Sequence, residues 1–461
     1  MSTQLEVKNP FDQSLIGSVT YRTWSQLDQD LEVAEKLFRN KKAWLPPYKR
    51  AEILRKTAAL MAARFEELAF LIANEGGKPM IDARVEVTRA INGVELCVTT
   101  LNQLDGREIP MGLSPAGAGK LAFTFREPVG PVVAVSAFNH PLNLIVHQVA
   151  PAVAVGCPIL VKPADDTPLS CEIFVSLLYE AGLPEEWCRF AVCDIPTAEK
   201  LVTDPRVAFF SFIGSAKVGW MLRSKLAAGT RCALEHGGAA PVIIDQGADL
   251  NQMVPKLIKG GFYHSGQVCV SVQRIFAPRA EASHIAQLLS YSAQKLIVGN
   301  AIFDDTECGP LIRPREVDRV ASWINEAKDA GAQVLCGGQK LTYTTYAPTV
   351  LLDPPATSKV ALMEVFGPVV CVFSYDHIDE AVVVANSIPF AFQASVFTPN
   401  IDTALRIGHA LEASAVMINE HTAFRTDWMP FSGRKQSGYG VGGISYTMND
   451  MTQEKMVIIS S

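Results

Sequence analysis

Apolar residues recur at three- and four-residue spacing through Ser25 to Trp44, Pro46 to Glu75 and Pro79 to Leu104. After a short polar arm, this spacing predicts long amphipathic helices over most of the first hundred residues. From Leu121 the texture changes. β-Branched runs at Val132 to Val135, Ile159 to Lys162, Val207 to Ile213 and Val242 to Asp245 alternate with helical patterns such as Ser170 to Ala181 and Lys217 to Lys225. That alternation predicts parallel strands joined by crossover helices. A second alternating block runs from Leu250 to Thr426, with helices near Glu281 to Leu296 and Glu316 to Ala330 and strands near Val369 to Ser374 and Ala415 to Asn419. The chain reads as two α/β domains in sequence. Lys455 to Ser461 reads as a short apolar strand with no partner nearby in sequence, an edge suited to pairing with another subunit.

The 461 residues carry 48 % apolar and 19 % charged side chains, a balance that sets aside intrinsic disorder. A net charge of −6 with no block of five basic residues removes the long-range attraction that nucleic acid or an anionic membrane needs. The most apolar twenty-residue window, Leu142 to Val161, is interrupted by Asn143, His147, Gln148, Pro151 and Pro158, so no membrane span is expected. The N-terminal residues lack the charged-then-apolar pattern of a secretory leader, and a cytoplasmic chain is expected. None of the ten cysteines stands three positions from another, and HExxH and GxSxG are absent. Zinc-ribbon, dithiol redox, zinc protease and serine hydrolase readings lose their support, and no metal is expected.

Several short segments can carry chemistry. Phe209 to Ile213 runs into Gly214-Ser215 and then a helical pattern, a turn that points helix N-terminal amides at an anion such as a pyrophosphate, or else an ordinary strand-to-helix turn. Lys162 and Asp165 end another apolar strand, a cation and an acid that suit ribose hydroxyls or simply face solvent. Cys269 lies in Gly266-Gln267-Val268-Cys269, where glycine lets backbone approach a ligand; no cation flanks the thiol, so its activation must come from the fold or a cofactor. Glu235, before Gly237-Gly238, is a candidate base for a thiol or a water. Asn139, before Pro141, offers an amide to an oxyanion or forms a turn.

In this order, FNHPLN (138–143), VKPAD (161–165), FIGSAKVG (212–219), LEHGG (234–238), GQVC (266–269), EVFGPV (364–369) and MPFSGRKQSG (429–438) resemble the aldehyde dehydrogenase superfamily over nearly the whole chain. The resemblance implies a Rossmann-like cofactor domain (1–110 and 129–237), an α/β catalytic domain (238–440) and a small β oligomerisation element (111–128 and 441–461) in a homodimer or homotetramer. It also implies Cys269 as nucleophile, Glu235 as general base and Asn139 as oxyanion donor. On the cofactor side it implies Lys162 and Asp165 at the ribose, Gly214 and Ser215 at the pyrophosphate, and Phe138, Glu364 and Phe366 near the nicotinamide. Asp165 replaces a common glutamate; as a carboxylate it favours NAD, with NADP admitted.

Other departures fall toward the substrate. Phe138 replaces a common tryptophan, His264 a common asparagine and Gln148 a common lysine. His140 within FNHPLN, and Phe424-Arg425-Thr426-Asp427, are similar to the branch acting on lactaldehyde, glyceraldehyde 3-phosphate, phosphonoacetaldehyde and sulfo-aldehydes. Arg425 suits a bidentate grip on an anion, and Arg89 matches a second cationic position of the phosphonate-handling members, where Val268 replaces a further arginine. Both arginines alternatively make salt bridges. The expected reaction is oxidation of a small anionic or hydroxylated aldehyde through a cysteine thioester. The alternatives are a cysteine-dependent esterase or acyltransferase, acylation of coenzyme A, disfavoured by the presence of Glu235, and a non-catalytic binding protein.

Overall fold

The computed structural model describes residues 4–460; residues 1–3 and 461, the last of which ends the expected tail strand, lie outside it. A six-stranded sheet runs in the order Gly438–Tyr439, Arg231–Glu235, Phe209–Ile213, Val132–Val135, Ile159–Lys162, Cys188–Phe190. All its neighbours are parallel except the first pair. The chain builds outward from Val132–Val135 in one direction, then returns to place Phe209–Ile213 on its other side. The two segments that leave these adjacent strands therefore diverge, opening the crevice where doubly wound sheets bind ligands. These are the parallel strands that the alternation predicts, in the Rossmann-like arrangement that the resemblance implies, with Ile159–Lys162 buried at every position, as a strand covered on both faces must be.

A second sheet has seven strands in the order Gln333–Cys336, Thr349–Leu352, Val369–Tyr375, Val272–Pro278, Ala240–Ile244, Gln393–Phe397, Ala415–Ile418, antiparallel only at its first pair. A third, antiparallel sheet joins Thr452–Ser460, Lys120–Pro128 and Glu108–Ile109.

Two sequence expectations change. Pro46 to Glu75 is two helices, Pro47–Ala63 and Phe65–Gly76, because Arg64 leaves helical geometry at φ −110° and ψ 28° although the apolar spacing continues across it. The polar arm is a hairpin, Gln4–Lys8 against Leu15–Thr20. The tail strand has no partner nearby in sequence, as expected, and finds one far upstream in the segment grouped with it: Thr452–Ser460 pairs along its whole length with Lys120–Pro128. Ile444, Met448 and Met451 pack in the same core as Ile145, Val149 and Val153 of the helix Asn143–Val155. Among the described residues no helix is long and apolar enough to cross a membrane, and no group of side chains is arranged to hold a metal ion.

Candidate active site

A cleft of about 700 Å³ lies between the two larger sheets. It gathers Cys269, Glu235 and Asn139; Lys162, Asp165, Gly214, Ser215 and Phe138; Glu364 and Phe366; and Arg89, His140 and Arg425. Every site residue expected from the sequence therefore lines one cavity, although the residues span more than three hundred positions of chain.

Cys269 sits in a loop whose backbone is forced. His264, Ser265 and Gly266 all have positive φ, at 48°, 55° and 70°, and a Cβ on Gly266 would overlap the carbonyl of Gly367. Ser265 Oγ donates to Gly309 O at 2.6 Å, and the Gln267 side chain donates to His264 O and Pro310 O while accepting from Ile312 N at 2.9 Å. Two left-handed non-glycine residues, His264 and Ser265, are costly, and these buried bonds over-determine them. Asn139 Nδ2 donates to Gln267 O at 3.0 Å, which joins the oxyanion candidate to the nucleophile's loop and leaves its second N–H for a ligand. His264 is fully buried outside the cleft, and Gln148, on the helix Asn143–Val155, donates to Val135 O and Ser211 Oγ of the sheet beneath it, so neither faces substrate.

The electrostatics run against an unassisted thiolate. Burial pushes the Cys269 thiol up to about 12, with the carboxylates of Glu364 and Glu235 adding and Arg425 opposing. Burial also raises Glu235 to about 7, against Arg425, and Glu364 to about 8, against the Gly238 N–H it accepts at 3.0 Å and Arg319. Glu235 thus stands half-protonated near neutrality, the condition of a useful general base.

On the dinucleotide side, Lys162 Nζ donates to Asp165 Oδ1 at 2.7 Å, and the Tyr21 hydroxyl donates to Asp165 Oδ2 at 3.3 Å. Gly214-Ser215 leads into the helix Ala216–Arg223, and the Ser215 side chain makes no capping bond, so the first amides of the helix remain for an anion. These donors, the acid beside Lys162 and the crevice at the strand switch fit a nicotinamide dinucleotide. His236, unnoticed in the sequence beyond its place in a motif, braces the turn: its Nδ1 donates to Gly214 O at 3.0 Å while its ring packs on Phe212 and Trp220. A Cβ on Gly219 would overlap that ring, so the glycine inside this helix is a packing requirement.

The two arginines part company. Arg89 is closed onto Asp427, with Nε at 3.1 Å from Oδ2 and Nη2 at 2.7 Å from Oδ1. Arg425 instead lies flat over Phe431, 3.5 Å from the ring centroid, with Nη1 buried and without a hydrogen-bond partner. The salt-bridge alternative thus describes Arg89 and not Arg425.

The aldehyde dehydrogenase family profile matches residues 1–457. A 3-sulfolactaldehyde dehydrogenase of Priestia megaterium is 34 % identical over 459 residues, covering 99 % of this chain and 95 % of its own. The crystal structure of glyceraldehyde-3-phosphate dehydrogenase GapN from Methanocaldococcus jannaschii, complexed with NADP, superposes with a TM-score of 0.94 at 33 % identity over the whole of both chains. That of aldehyde dehydrogenase 21 from Physcomitrella patens, with the product succinate, gives 0.95 at 32 % identity, covering 100 % of this chain and 95 % of its own. Sequence, fold and cleft agree, and the chain belongs to the aldehyde dehydrogenase family.

Proposed function

We propose that this NAD(P)-dependent enzyme oxidises a small aldehyde with an anionic head group to the corresponding carboxylate. The observation that carries the head group is Arg425, a half-buried arginine in the same cleft as the nucleophile, whose buried Nη1 has no hydrogen-bond partner. Burial pulls it down to about 10, so it stays cationic, and a cation with a buried, unpaired N–H calls for an anion.

Cys269 Sγ adds to the carbonyl carbon, its proton passing to Glu235, while Asn139 Nδ2 and the Cys269 N–H hold the oxyanion. The bound dinucleotide supplies the hydride acceptor. Once Glu235 has passed that first proton to solvent, its carboxylate takes a proton from the water that attacks the thioester. The adduct expels Cys269 as a thiolate, the Glu235 proton returns it to the thiol, and the product leaves as the carboxylate after losing its remaining proton to solvent. Lys162 and Asp165 hold the ribose, the Gly214-Ser215 turn the pyrophosphate, and Glu364, Phe366 and Phe138 border the nicotinamide. Asp165 repels a 2′-phosphate, which favours NAD over NADP.

The test is nicotinamide reduction with phosphonate, sulfonate, carboxylate, hydroxylated and uncharged aldehydes, each with NAD and NADP. Arg425→Ala is expected to lower kcat/KM for anionic aldehydes by about 10²-fold while changing the uncharged one several-fold at most. Equal losses on both would refute the grip.

The functional unit is a homodimer or homotetramer assembled through the edge of Thr452–Ser460. Cross-strand pairs Phe123–Val457 and Leu121–Ile459 leave an apolar strip in which Leu121, Phe123 and Ile459 are exposed. Light scattering should give two or four times the 50.0 kDa chain, falling toward one chain in the double substitution Phe123→Asp/Ile459→Asp.

A further inference from the structure

Two guanidinium groups line the substrate end of the cleft, yet they do not present two charges. Asp427, only 3 % exposed, takes both forks of Arg89 and also accepts from His147 Nε2 at 2.8 Å and Asn143 Nδ2 at 3.3 Å. Burial alone would raise its carboxyl. His147 and Arg89 reverse that and hold it well below the usual carboxylate range, so it is an anion whenever the protein is folded. Burial keeps His147 neutral near pH 7. The group Arg89–Asp427–His147 therefore sums to zero.

The next layer also cancels. Buried Lys78 pairs with Glu86, whose other oxygen accepts from Leu142 N and Asn143 N, and Lys259 pairs with Asp82. His140, between these groups and the cavity, is held neutral by burial and by the surrounding cations. What remains toward substrate is one cation without an ion-pair partner, Arg425, with the ionisable Glu235 facing it.

We infer that Asp427 is a specificity-determining residue: by withdrawing Arg89 it leaves the pocket a single positive charge and selects monoanionic head groups, sulfonate or carboxylate, over dianionic phosphonate or phosphate. The inference rests on the reading of Arg425 as the head-group anchor. A monoanion neutralises Arg425 in a bidentate pair. A dianion brings a second charge that no free cation meets and that Glu235, when ionised, repels.

The experiment compares kcat/KM for sulfonate, carboxylate, phosphonate and uncharged aldehydes of matched length, above the second ionisation of the phosphonate. The native enzyme is expected to favour either monoanion over the dianion by about tenfold or more. Asp427→Asn frees Arg89 and should raise the dianion-to-monoanion ratio by about tenfold. Arg89→Gln strands the Asp427 carboxylate and should lower that ratio. The double substitution Arg89→Gln/Asp427→Asn removes a pair of zero net charge and should return the native ratio, whatever its absolute rate. Thermal melting and dinucleotide binding identify a variant that has lost its fold. In that event the native ratio and the double substitution decide, because an Arg89 that itself gripped substrate would leave the double variant impaired toward dianions.

A native preference for the dianion, an unshifted ratio in folded Asp427→Asn, or an impaired double variant overturns the inference while leaving the Arg425 anchor intact. The anchor fails separately, when Arg425→Ala weakens charged and uncharged aldehydes alike.

Discussion

Cys269→Ala is expected to lower steady-state, aldehyde-dependent nicotinamide reduction by at least about 10⁴-fold while leaving dinucleotide binding near its native strength. Removing Sγ removes the only covalent route, since a hydride does not leave a planar aldehyde until a nucleophile has made its carbon tetrahedral. No other thiol substitutes. The remaining nine cysteines do not line the cleft, and burial raises thiols such as Cys188, Cys308 and Cys371 to about 12 away from the dinucleotide and the oxyanion donors. Alanine fills less space than cysteine and meets no new neighbour in an open cavity, so the forced loop from His264 to Gln267 keeps its bonds. Absorbance of reduced nicotinamide reads the loss and a fluorescence titration reads the binding. Turnover within tenfold of native would remove the covalent mechanism altogether.

How far the sequence could anticipate this arrangement depends on the distance over which each feature is determined. Strands buried on both faces announce themselves: Val132–Val135 and Ile159–Lys162 are continuous apolar runs, and both stand where the alternation puts them. The break at Arg64 does not announce itself, because an amphipathic stripe continues through a local change of ψ without any proline or glycine at the bend. The partner of the tail strand lies more than three hundred residues upstream, beyond any local pattern. The same holds for the contrast between Arg89 and Arg425. Both are cations near recognisable motifs, and only the fold brings Asp427 across 338 positions to one of them. His236 was partly legible. A glycine within the helical run after Ser215 costs stability unless something packs against it, and that something is the His236 ring.

The base makes a prediction with two readouts that move in opposite directions. With Glu235 raised to about 7, the carboxylate that accepts protons fills in as pH rises through neutrality, so kcat should climb through that value and level off above it. Glu235→Gln should abolish this dependence and lower steady-state turnover by about 10²- to 10⁴-fold. It should leave at most one reduced nicotinamide per subunit in a burst that speeds up at higher pH, as hydroxide takes over the removal of the Cys269 proton. Stability should change the other way. A carboxyl whose folded-state pKa lies above its ordinary 4.5 is bound to its proton more tightly in the fold than in the unfolded chain, so it withdraws stability as pH rises from 4.5 to about 7. At pH 8 the native protein carries that buried anion and the glutamine variant does not, while at pH 4.5 the two differ least. Thermal midpoints measured at both values should therefore show the less active variant to be the more stable one, and only at the higher pH. A group placed there for packing alone would lose stability on substitution at either pH and leave the rate profile where it was.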